Sequence, residues 1–65
     1  MMQPHQQRVL KEHAELQDRI AKLDRFITTN QTFADLPQRE RDLLATQLVV
    51  MRQYFDILTE RMKGF

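Results

Sequence analysis

Sixty-five residues with ten basic and nine acidic side chains, a net charge of +1 and no cysteine set narrow limits on this protein. A chain this short forms one small domain burying only about 60% of its unfolded surface, and without cysteine it has neither a disulfide framework nor a thiolate metal site. The even charge balance excludes the broad basic face that general nucleic-acid binding needs, so added stability is expected from association with a second copy.

The chain begins MMQPHQQRVLKEH, without the apolar core of a signal peptide, and no later stretch approaches the roughly 20 apolar residues of a membrane span. The expected location is the cytoplasm, away from the membrane. His5 and His13 are too widely spaced for the i, i+4 pair with which two imidazoles on one helix share a metal. Neither a metal nor any other cofactor is expected.

Pro4, Pro37 and Gly64 punctuate the start, middle and end of the chain, and the segments between them read as helix. A first helix is predicted over about 5–28. Its inward positions Val9, His13, Leu16, Ile20, Leu23 and Ile27 follow a 4-3-4-3-4 spacing, a narrow stripe suited to one partner helix. Glu15 with Arg19 and Asp18 with Lys22 are acid-to-base pairs one turn apart on its solvated side.

Residues 29–35 are turn-compatible and predict a loop, with Phe33 and Leu36 folding back over the open end of a hairpin. Asp35, Pro37 and Gln38 have the spacing of a capping box opening a second helix over about 36–63. At its far end Lys63, Gly64 and Phe65 suggest a left-handed glycine stop with the terminal aromatic ring packing back as a plug.

The second helix carries far more apolar surface than the first can cover. Leu43, Leu44, Leu48, Val50, Met51, Tyr54, Phe55, Ile57, Leu58 and Met62 spread over about 180° of its circumference. The expected architecture is therefore all-α, a single helical-hairpin domain over 1–65 whose two antiparallel helices pair with a second hairpin into a homodimeric four-helix bundle. Leu44, Leu48, Met51, Phe55, Leu58 and Met62 are the predicted dimer interface.

Four polar residues interrupt these apolar surfaces. Gln47, Tyr54 and Arg61 recur every seventh residue and share one line, and pairing Ile27 opposite Leu44 brings His13 near Tyr54 and Arg61. One reading makes them core furniture, with Gln47 setting register, Tyr54 bonded to His13 and Arg61 snorkelling from the bundle end. The other makes Tyr54, Arg61, His13, Phe33 and Gln47 the contacts for a ligand or partner, with the ring available for stacking and the guanidinium for phosphate. Catalysis is not expected: serine and cysteine are absent, as is any glycine-rich phosphate loop, and a two-helix chain has no deep pocket to exclude water.

The residues His5 to Val9, Glu15-Leu16, Ile20, Lys22-Leu23 and Phe26-Ile27, followed by Phe33, Leu36-Pro37, Glu40-Arg41, Leu43-Leu44, Gln47, Tyr54 and Arg61, resemble a group of small helical-hairpin proteins of tailed bacteriophages and prophages, the crAss-like-phage-related proteins. The likeness extends over residues 5–65. It implies a phage or prophage accessory protein and carries no established activity or site residues. Small phage proteins commonly act stoichiometrically, which suggests blocking of a host defence or regulatory protein. The alternatives are a sponge that holds a nucleotide signal between subunits and a purely structural dimerisation module.

Overall fold

The computed structural model of the chain describes residues 2–65. The chain runs through α1 (Pro4–Thr29), α2 (Gln31–Asp35) and α3 (Gln38–Met62). Pro4 sits at the start of α1, where its missing N–H leaves no hydrogen bond unmade, and the Gln6 Oε1 accepts from the Gln3 N–H at 2.9 Å. His13 meets Thr59, and Asp24 meets Arg52 at 3.2 Å, so residues near the start of α1 lie against residues near the end of α3 and the two helices are antiparallel.

The connection differs from the predicted loop. Asn30 ends α1 and opens α2, its Oδ1 accepting from the Thr32 N–H at 2.8 Å, so five of the residues assigned to the loop form a helical turn and a half. The second long helix begins at Gln38, after extended Leu36 and Pro37, and the expected side-chain cap from Asp35 is not made. The proline explains the delay, because it disfavours helical geometry at the residue before it. Asp35 instead accepts from Gln31 Nε2 at 3.1 Å within α2. Phe33 does fold back: its ring meets Phe26 edge-on, with centroids 5.9 Å apart.

The end of α3 also departs from expectation. None of the described residues adopts a positive φ, so Gly64 does not make a left-handed stop. The helix tightens instead, with the Gly64 N–H on the Arg61 carbonyl and the Phe65 N–H on the Met62 carbonyl, both at 3.2 Å. Phe65 stays exposed and plugs nothing.

Packing follows the 4-3 spacing on both helices. Val9, Leu16 and Leu58 form the buried cluster, with Ile20, Met51, Phe55 and Met62 packed against it, and Leu48 is buried nearby. Leu44, Leu48, Met51, Phe55, Leu58 and Met62 are thus the side chains α3 turns toward α1. The six residues assigned to a dimer contact are occupied inside a single hairpin, because the narrow α1 stripe needs a matching line on its neighbour.

Candidate functional site

With its inward line committed, α3 exposes a second line of the same 4-3-4-3-4 spacing: Leu43, Gln47, Val50, Tyr54, Ile57 and Arg61. All six are exposed, and Leu43, Val50 and Ile57 each keep more than half of their surface in water. Burying the exposed half of such a side chain is worth about 1 kcal/mol. Three in a row at heptad spacing make a stripe, and a contiguous apolar stripe marks a contact surface.

Beside the stripe runs the polar line Gln47, Tyr54 and Arg61. The Tyr54 hydroxyl and the Arg61 guanidinium have no hydrogen-bond or ion-pair partner among the described residues, and Gln47 makes only a 3.9 Å contact from Nε2 to Met51 Sδ. Glu60, the carboxylate adjacent to Arg61 in sequence, is held by Lys63 at 2.8 Å. Arg61 lines a shallow groove of ≈ 410 Å³ with Asp56, Ile57 and Glu60. A second groove, ≈ 400 Å³, lies at the other end of the stripe between Gln38, Arg39, Asp42, Leu43 and Thr46.

His13 is not part of this line. Its ring stacks on Phe55 with centroids 4.1 Å apart, and Nε2 lies 2.9 Å from Thr59 Oγ1. The predicted bond to Tyr54 is replaced by one to Thr59, because Phe55 and Thr59 point inward while Tyr54 is rotated outward by one residue's turn. Phe33 is likewise engaged within the chain, at the loop end on Phe26 and far from Arg61. Of the five candidate contact residues, the structure brings Gln47, Tyr54 and Arg61 together on one open surface and separates His13 and Phe33 from them. The apolar stripe beside them was visible in the sequence only as part of a broad arc, whose division between two partners depends on where α1 lies.

Among the described residues no group of three or more His, Asp or Glu is placed to hold a metal, and no helix is long and apolar enough to cross a membrane. The surface is chemically suited to holding something: an aromatic face, a planar cation and an amide in one row.

A family model described as Sequestin matches residues 3–64, nearly the entire chain. The chain belongs to the Sequestin family. The name denotes sequestration, which is a binding role and accords with a surface that offers contacts. No curated protein and no solved structure matches this Sequestin-family chain.

Proposed function

We propose that this Sequestin-family protein acts stoichiometrically, by holding a phosphate-bearing nucleotide signal out of circulation. In this reading it is a phage or prophage accessory protein working in the host cytoplasm, as its resemblance to small phage hairpins implies. The observation that carries the reading is the uncommitted pair Tyr54 and Arg61, exposed on one line of α3 with no partner for either polar group among the described residues.

Seven residues of helix separate them, which is about 10 Å along the axis. That is the scale on which a nucleotide's base is separated from its distal phosphate. Tyr54 supplies a face for stacking the base, Arg61 a planar fork for phosphate oxygens, and Gln47 an amide that both donates and accepts. None of these groups turns the ligand over; retention is the whole activity. The capacity of such a protein is set by its copy number.

The test is thermal unfolding in the presence of ADP-ribose and of cyclic dinucleotides. A ligand held by the folded state raises the melting temperature through binding linkage. The expected result is a rise with one of these probes that Arg61→Ala removes. A wild-type melting temperature that none of them moves refutes the nucleotide reading. The exposed stripe of Leu43, Val50 and Ile57 supports a second reading, in which α3 lies in the groove of a host defence or regulatory protein and blocks it. Capture of such a protein that is lost in Val50→Asp and retained in Arg61→Ala favours it.

A further inference from the structure

A single hairpin is poorly supported. Its Cα radius of gyration is 14.8 Å, where a compact domain of this length has about 11 Å, and it measures 49 × 15 × 14 Å. Among the described residues only Val9, Leu16, Leu48 and Leu58 are buried apolar ones. A second rod laid alongside would cover the stripe.

We infer that Leu43, Val50 and Ile57 are the contact between two copies of this chain, with α3 packed antiparallel on α3 of the partner. Charge selects the direction. Parallel pairing about a two-fold axis sets Arg61 against Arg61 and Glu60 against Glu60, like on like, with the two helix dipoles aligned. Antiparallel pairing opposes the dipoles and sets no charged residue of the contact on its own counterpart. Centring the overlap places Val50 opposite Tyr54 and Leu43 opposite Arg61, which covers all three apolar residues on each chain. It also lays the groove at Leu43 over the partner's groove at Ile57 and Arg61.

The pairing completes the nucleotide surface, a consequence that rests on the function proposed above; the contact itself does not. On the helical wheel the apolar stripe lies about 130° from the inward line of α3, and the polar line about 70°. The two-fold axis of an antiparallel pair is normal to the plane of the two helices. Both polar lines therefore emerge on the same side of that plane. Gln47, Tyr54 and Arg61 of each copy become the floor of one cleft, and the two α1 helices become its walls. The tyrosines flank the axis, and the arginines stand about 27 Å apart at the two ends, from 18 residues at 1.5 Å each. An open face on one chain thus becomes a walled site on two.

The absence of cysteine makes the geometry directly testable. Gln53 lies on the far side of the stripe beside the two-fold axis, so Gln53→Cys should form an intermolecular disulfide under mild oxidation. Leu43→Cys and Glu60→Cys, each distant from its own counterpart, should not. Cross-linking of Leu43→Cys or Glu60→Cys as readily as Gln53→Cys overturns the antiparallel contact. Sedimentation of the unmodified protein supplies the second readout: a dimer is expected, weakened at least about tenfold by Val50→Asp with helicity retained. A monomer at every concentration, or a dimer indifferent to Val50→Asp, leaves the stripe to another protein and refutes self-pairing. Both measurements are made without nucleotide, so a dimer that binds no nucleotide refutes the ligand reading alone.

Discussion

The His13 ring lies nearly flat on Phe55, with planes 26° apart and centroids separated by 4.1 Å, and this stack joins α1 to α3. A hydrogen bond fixes the ring's orientation. Thr59 Oγ1 donates to the Phe55 carbonyl at 3.0 Å and lies 2.9 Å from His13 Nε2, an arrangement that suits the tautomer in which Nε2–H donates to the hydroxyl oxygen. The histidine is partly buried between the helices as a positioned structural residue.

Thr59→Val should therefore cost about 1 kcal/mol, since it removes the acceptor and leaves a part-buried N–H unmatched, while Thr59→Ser should be close to neutral. His13→Ala should cost more, because it also removes the aromatic stack. Denaturant unfolding at fixed protein concentration checks both. A double-mutant cycle on His13 and Thr59 should return a coupling of at least about 0.5 kcal/mol, and additive losses would mean that the two side chains do not interact.

Opposite faces of α3 should respond very differently to truncation. Leu58 is fully buried at 0% exposure, whereas Val49 is 54% exposed and lies away from both the inward line and the apolar stripe. Leu58→Ala removes a core side chain and should cost about 3–4 kcal/mol, a large share of the stability of so small a domain. Val49→Ala should stay within about 0.5 kcal/mol of wild type. Comparable losses at the two sites would place the wrong face of α3 inward.

The helix pair and its register were legible because a 4-3 spacing constrains both the face and the offset of a helix. Pairing Ile27 with Leu44 put His13 within one residue of its observed partner Thr59. The division of the broad α3 arc was less accessible. Leu44 to Met62 and Leu43 to Arg61 are two neighbouring lines with the same spacing, and sequence alone does not say which one faces α1. Tyr54 and His13 were placed together for that reason: the register was right and the face was one residue off. The turn at Asn30 was missed because its signal is local. Asparagine caps a helix as readily as it breaks one, and only the extended Leu36 and Pro37 after Asp35 separate α2 from α3.

Gly64 offers a test of the helix end. Its φ is not positive, and a Cβ built there meets only the Arg61 carbonyl oxygen, at an ordinary 3.5 Å. Gly64→Ala should be tolerated and should stabilise the chain by up to about 0.5 kcal/mol, because alanine restricts the unfolded chain more than glycine does. A left-handed stop would give the opposite sign, a loss of about 1 kcal/mol. Thermal unfolding of this one variant distinguishes them.

The two exposed polar groups of α3 separate by chemistry in nucleotide binding. Tyr54→Phe keeps the ring and should retain most of the affinity for whichever nucleotide raises the melting temperature, whereas Tyr54→Ala should lose about 1–3 kcal/mol, the scale of one base stacked on an aromatic side chain. Arg61→Lys keeps the charge but not the planar fork, so its affinity should fall between wild type and Arg61→Ala. Phe33→Ala serves as the control. It removes the edge contact with Phe26 at the loop end and should lower stability, without altering nucleotide affinity in the fraction that remains folded. Calorimetric titration of the five variants against one probe reads all of these effects. If Phe33→Ala weakened binding as much as Tyr54→Ala, the ligand would lie at the loop end, and the polar line of α3 would not be its site.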